Sequence, residues 1–218
     1  MDKYIKVPHM ITDRSFEIIS EEIKEIDPQY EFESKLQEDI IKRAIHTSAD
    51  FDYLKNLAFS GNAETIIQDV IQQGGHFITD TNMALAGMNK KILDSYGCQY
   101  HCFVNDPRAF EIAKKKGITR SMAAIELACQ LEGPKVFVVG NAPTAIYQLL
   151  EYVEMGRLEV AAVIGVPVGF VGASESKLSL HESQIPSIAA LGRKGGSNVA
   201  AAIVNAIQYN IQGIIHQG

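Results

Sequence analysis

From residue 76 to residue 211 the sequence alternates short apolar runs with longer helical patterns, and this rhythm constrains the fold more than any other feature. The apolar runs fall at 76–79, 100–104, 136–139, 160–165 and 185–190. Helical patterns follow them at 82–95, at 107–115 and 121–131, at 143–155, at 174–183 and at 197–211. Such alternation predicts an α/β chain with a mostly parallel sheet, because parallel neighbours can be joined only by long crossovers. Runs such as "KVFVVG" and "VAAVIG" are apolar on both sides of the pleat, as strands covered on both faces should be. Right-handed crossovers then place helices above and below, giving three layers, α/β/α.

Two amphipathic helices are expected ahead of this region. In the first, over about 14–26, Phe16, Ile19, Ile23 and Ile26 share one face. In the second, over about 34–46, Leu36, Ile40, Ile41, Ala44 and Ile45 do so. A third helical pattern covers 63–73. No repeat, low-complexity tract or linker interrupts the chain. Residues 1–218 are therefore expected to form a single domain, with the N-terminal helices (about 14–47) packed on the α/β core.

Glycine and polar residues concentrate where the strands end: "TDTNMA", "NDPRA", "GNAPT", "GVPVGFVGASESK" and "LGRKGGS". Open parallel sheets bind ligands at the carboxyl ends of their strands. Five such loops at one edge exceed the needs of turn chemistry and point to a ligand-binding edge.

The net charge of −6 leaves no global positive field, so nucleic acid and anionic membrane are not expected partners, and an anionic ligand must be met by a local cluster. "LGRKGGSN" supplies one: Arg193 and Lys194 precede two glycines and a helix start near Ser197, where backbone N–H groups and cations would converge. "GITRSMAA" places Arg120 at another helix start, with Thr119 and Ser121 as capping candidates; arginine suits a carboxylate gripped by two donors. In "IIKRAIHTSAD", Lys42, Arg43 and His46 are expected to lie off the apolar face of their helix. Lys177 closes the glycine-rich stretch and is available to a ligand carboxylate.

Other chemistries find little support. Neither G-x-G-x-x-G after a strand nor G-x-x-x-x-G-K-[ST] is present, which argues against dinucleotides and nucleoside triphosphates. No G-x-S-x-G elbow occurs. In "CQYHC", strand alternation puts His101 and Cys102 on opposite faces, so a shared metal site is not expected. Three irregularly spaced cysteines give no disulfide framework. The first residues carry no apolar signal core and no run of about 20 apolar residues appears, so a reducing cytoplasm is the expected location.

Together, "RSFEII", "IKRAIHTSADFDY", "TDTNMALAGMNK", "DPR", "GITRSMAA", "VFVVGNAPTA", "GVPVGFVGASESK" and "ALGRKGGSNVAAAIVNA" resemble the precorrin-8 methylmutase family of corrin-ring biosynthesis, over about 14–210. "IIKRAIHTSADFDY" with "GRKGGSNVAAA" looks most like its cobalt-precorrin-8 branch. The resemblance implies an isomerase that moves a methyl group from C11 to C12 of a macrocycle. It also implies a three-layer fold around a five-stranded parallel sheet, no cofactor, and a homodimer with the active site near the subunit interface. The histidine of "IHT" is the family's proton donor and acceptor, which maps to His46, and the serine of "RSF" is a substrate contact, which maps to Ser15. The corrinoid ring is edged with carboxylates, for which Arg43, Arg120, Ser121, Lys177 and Arg193 are candidate contacts. The competing readings are a non-catalytic tetrapyrrole carrier, which would bind the ring without changing it, and a dinucleotide-dependent oxidoreductase.

Any cobalt should therefore travel with the substrate. Elemental analysis of the ligand-free protein after dialysis against chelator should find no stoichiometric zinc, iron or cobalt; near-stoichiometric retained metal would contradict this.

Overall fold

A computed structural model describes residues 7–213. The first helix, α1 (Pro8–Ile26), begins with Pro8, a residue suited to a first turn because its missing N–H is not needed there. The second, α2 (Lys35–Ser48), is capped by Ser34, whose hydroxyl accepts from the Gln37 N–H, and it ends at Ala49 in a left-handed conformation. A short α3 (Tyr53–Asn56) leads into β1 (Leu57–Ser60), followed by α4 (Ala63–Gln72). Then come β2 (His76–Thr79), α5 (Asn82–Gly87), α6 (Lys90–Ser95), β3 (Gln99–His101), α7 (Pro107–Lys116), α8 (Arg120–Ala128) and β4 (Lys135–Val139). The chain continues through α9 (Pro143–Glu154), β5 (Ala162–Gly165), α10 (Ala173–His181), β6 (Ser187–Ala190) and α11 (Ser197–Ile211). No helix among the described residues is long and apolar enough to cross a membrane.

The sheet has six strands in the order β1-β6-β5-β4-β2-β3. Strands β2 to β6 are mutually parallel, as the alternation predicts. The sixth is an addition: β1 runs antiparallel to β6 at the edge, with Leu57 opposite Ala190 and Ser60 opposite Ser187. Successive residues of β4 serve opposite layers. Val136 and Val138 join Ile40, Ile67, Val199 and Ile203 of α2, α4 and α11 on one face. Phe137 and Val139 join Ile125, Ile146, Leu149 and Leu180 of α8, α9 and α10 on the other.

The helix expected over 82–95 is broken into α5 and α6, and the cause is a side chain. Asn205 of α11 accepts from the Asn89 N–H at 2.8 Å and donates to the Gly87 carbonyl at 2.8 Å. It thereby satisfies backbone groups at the break that the helix would otherwise have paired. Gly87 also lies so close to α11 that a β-carbon there would sit 2.8 Å from the Ala201 methyl.

After β3 the chain crosses past β2 to form β4, so the topological switch lies between β2 and β4. Asp80, directly after β2, is buried there. One carboxylate oxygen accepts from the Gly140 N–H at 2.9 Å, and the other accepts from Asn141 at 2.8 Å and Ala142 at 2.6 Å. Burial pushes this carboxyl's pKa up, and the three N–H donors oppose that shift. Next to it, the Thr81 hydroxyl caps α5 and lies 2.7 Å from the hydroxyl of Ser197, the first residue of α11.

Asp80→Asn should turn one acceptor into a donor facing an N–H. The expected loss, read by urea denaturation, is about 1–3 kcal/mol, with Asp80→Ala losing more. An unchanged denaturation midpoint in both variants would show that the loop after β4 is held by other contacts.

Candidate active site

His46 stands near the C-terminal end of α2, exposed, at the mouth of a recess of about 230 Å³. The walls are Arg43 and Thr47 from α2, Gly87 from α5, and Asn198, Ala201, Ala202 and Asn205 from α11. The last four follow i, i+3, i+4, i+7 spacing and so form one stripe of a helix. Small alanines open the space and the two asparagines edge it. Asn198 donates to the Thr47 carbonyl at 3.5 Å, which ties the start of α11 to the end of the helix that carries His46.

The imidazole stacks on Phe16 of α1, with ring centroids 5.2 Å apart and planes 20° from parallel. Arg43 lies beneath. Its guanidinium is sandwiched between Phe16, at 5.0 Å from the ring centroid, and Tyr209 of α11, at 4.8 Å. A cation between two aromatic faces is held by their quadrupoles where water is scarce. Loss of hydration lowers the Arg43 pKa. His46 is pushed below its ordinary value, chiefly by lost hydration and secondly by the charge of Arg43. The ring is therefore mostly neutral at pH 7, with one nitrogen to donate a hydrogen bond and one to accept.

The expected site residues fall in different parts of the fold. His46 and Arg43 line the recess together, but Arg43 is only 8% exposed and does not stand clear of the packed face as the helical pattern suggested. Its long stem and planar head fit the seam of α1, α2 and α11, where an apolar residue would have been expected. Ser15 neighbours Phe16 on α1, and its hydroxyl donates to the Ile11 carbonyl at 2.8 Å. Arg120 and Ser121 open α8 in the opposite helical layer at the same carboxyl edge of the sheet. Arg120 is exposed, stacks on Phe110 at 4.8 Å and donates to Asn105 at 3.3 Å.

The loop between β6 and α11 carries Arg193, exposed and 5.5 Å from the ring of Phe170. Phe170 and Val171 are 81% and 91% exposed in the glycine-rich strap after β5. Strap and loop are laced together: Gly169 donates to the Arg193 carbonyl at 3.1 Å and Gly196 to the Val166 carbonyl at 2.9 Å. Only glycine permits this approach at Gly195, whose φ is +155° and where a β-carbon would lie 2.1 Å from the Val166 oxygen.

Two cations depart from the reading of the sequence. Lys194 does not offer its ammonium to a ligand: it is paired at 2.6 Å with both Asp50 and Asp52, just after α2. Lys177 is completely buried and donates to the Lys194 carbonyl at 2.7 Å, so it does not stand at the surface facing a ligand carboxylate. Its position on α10 is one turn from the sheet-facing Leu180, which draws the ammonium inward under the loop. Sequence reasoning also missed Asn198, Asn205, Tyr209 and Asp80. The first three could have been found as the polar members of one helical stripe in "SNVAAAIVNAIQY".

The family model of precorrin-8X methylmutase matches residues 10–210. The cobalt-precorrin-8 methylmutase of Salmonella typhimurium is 51% identical over 210 residues, covering 96% of this chain and 98% of that one. The precorrin-8X methylmutase of a Sinorhizobium species is 33% identical, covering 94% and 95%. The crystal structure of precorrin-8X methylmutase from Thermus thermophilus superposes with a TM-score of 0.80 at 32% identity, covering 93% of this chain and 98% of its own. With matches that run nearly end to end in both sequence and fold, the chain belongs to the precorrin-8X methylmutase family.

Proposed function

We propose that the protein isomerises cobalt-precorrin-8 by moving a methyl group from C11 to C12 of the macrocycle, giving the cobyrinate-type product. The observation that carries this reading is the placement of His46 at the recess, in a chain 51% identical to a cobalt-precorrin-8 methylmutase. One carbon–carbon bond breaks and one forms, with no change in overall composition, so neither an oxidant nor a nucleophile is required. What the reaction needs is a fixed ring and a group that can hydrogen-bond or protonate a ring nitrogen as charge redistributes. Histidine suits that task near neutrality.

The recess of about 230 Å³ is smaller than the roughly 300–1,000 Å³ typical of drug-sized ligand sites. A corrinoid would therefore place only one edge beside His46 and extend over the strand-end loops. On this reading Arg120, Ser121 and Arg193 meet peripheral carboxylates, Ser15 contacts the ring near His46, and Arg43 supports the His46 edge from below. The exposed Phe170 and Val171 offer apolar surface to the ring or to a second subunit, in keeping with a cytoplasmic homodimer whose site lies near the interface.

His46 is exposed and outside the core clusters, so His46→Ala should fold normally. Conversion of cobalt-precorrin-8, followed by absorbance and product chromatography, should fall by about a hundred- to ten-thousandfold. Product binding should persist, because a proton-handling group acts chiefly on the rate. Near wild-type conversion would remove His46 from the mechanism, and complete loss of binding would make it a binding residue instead.

The depressed pKa gives a second test. An NMR titration of the His46 ring in the free enzyme should have its midpoint below the ordinary 6.5. Arg43→Met should raise that midpoint only part of the way, since lost hydration is the larger cause. Between the depressed folded value and 6.5 the unfolded chain binds more protons, so His46 contributes to a loss of stability as pH falls through that window. A midpoint at or above 6.5 would show that neither lost hydration nor the Arg43 charge depresses the His46 pKa.

A further inference from the structure

Among the described residues, Lys177 is the one lysine that ranks with the largest fully buried side chains, at 0% exposure. Burying an ammonium is costly unless it is paired, and the usual partner is a carboxylate. Here the hydrogen bond goes to a backbone carbonyl, that of Lys194, at 2.7 Å. Burial alone accounts for the lowering of the Lys177 pKa, to about 8, with no neighbouring charge contributing. An apolar side chain would fill the same space at lower cost, so the ammonium has a use beyond packing.

That use is visible in what the carbonyl belongs to. Lys194 sends its side chain outward to Asp50 and Asp52, in the segment that follows the His46 helix. Arg193, one residue earlier, accepts from Gly169 of the strap through its carbonyl and lies over Phe170. Leu191 donates to the Asn56 carbonyl at 2.8 Å, and Gly196 to Val166. The 191–196 loop is thus a clip joining three parts of the candidate site: the end of α2, the strap after β5 and the start of α11. Three of its six residues, Gly192, Gly195 and Gly196, are glycines at positive φ, so its backbone is freer than one that carries β-carbons throughout. The Lys177 ammonium supplies an anchor from inside the fold at the centre of the clip.

We propose that Lys177 is a positioning residue: by donating to the Lys194 carbonyl, it holds the 191–196 loop in the conformation that directs Arg193 along the strap and Lys194 onto the segment after His46. The affinity part of this proposal rests on the methylmutase reading, whereas the loop part does not.

The two parts are tested separately on the full chain. Arg193 and Lys194 are both trypsin sites with exposed side chains, so the rate of cleavage there reports how often the loop opens. Lys177→Met keeps the length of the side chain and removes the ammonium. Cleavage after Arg193 or Lys194, followed by mass spectrometry, should accelerate about tenfold or more, while cleavage elsewhere and the thermal transition change little. With cobalt-precorrin-8, KM should rise by about tenfold and kcat should change much less, because the loop would contribute binding and not proton transfer.

Unchanged cleavage at 193–194 would overturn the proposal, as would acceleration spread over the whole chain with a lowered melting transition, which would make Lys177 a general core residue. Local acceleration with an unchanged KM would overturn the link to the substrate. If the wild-type chain itself fails to convert cobalt-precorrin-8, the functional reading fails while the cleavage result still stands. Should Lys177→Met not fold, the surface double variant Asp50→Asn/Asp52→Asn carries the test. It removes only the outer hold, so cleavage at 193–194 should rise by less than about threefold; a tenfold rise would show that the surface pairs hold the loop, and would overturn the proposal.

Discussion

The carboxylate of Asp80 closes the crevice between β2 and β4, where the strand order reverses, and the turn that opens the layer after β4 is held by it. Three consecutive N–H groups after β4 would otherwise be left without acceptors in a buried turn. A carboxylate with two acceptor oxygens and no hydrogen of its own answers all three, and a neutral amide could not. In many open α/β sheets an external anion or nucleotide occupies that crevice. Here the protein's own side chain fills it. The recess lies instead toward α2 and α11, where His46, Asn198 and Asn205 line it. The Thr81–Ser197 hydroxyl pair carries the same constraint from the end of β2 to the start of α11.

The strand–helix rhythm was legible because apolar runs such as "KVFVVG" must be covered on both faces, and period and length then separate strand from helix. The antiparallel edge strand β1 was not legible. "LAFS" is four residues long, and its only strand partner, β6, lies about 130 residues away in sequence. A short edge strand formed by long-range pairing leaves almost no local signature. The break between α5 and α6 was hidden for a related reason: it is made by Asn205, more than a hundred residues further along.

The candidate site shows the same division between local and non-local causes. His46 could be placed off the apolar face from helical spacing, and it is exposed. Arg43 and Lys177 carry charge, and charge in a sequence reads as surface. Each is buried because something distant receives it: two aromatic rings for Arg43, and one carbonyl for Lys177. Residue type alone cannot say whether a cation faces a ligand or a partner within the fold. Only the contacts separate Arg120 and Arg193, which are exposed, from Lys194, which is already paired with two aspartates.

That division bears on how a net-negative chain can receive a ring edged with carboxylates. If every cation in the signature motifs faced the ligand, the empty site would hold unpaired like charges beside His46 and keep its imidazole neutral across a wide pH range. Instead, Lys194 is neutralised by Asp50 and Asp52, Lys177 lies under the loop, and Arg43 is the charge identified as lowering the His46 pKa. On the proposed mechanism, a neutral imidazole over a buried guanidinium would act as a hydrogen-bond partner before it acts as an acid. Carboxylates arriving with the substrate would offset the Arg43 charge and favour the imidazolium. On this reading, the ligand itself brings His46 closer to the protonation state from which it can assist the shift, and the protein need not hold a proton there beforehand.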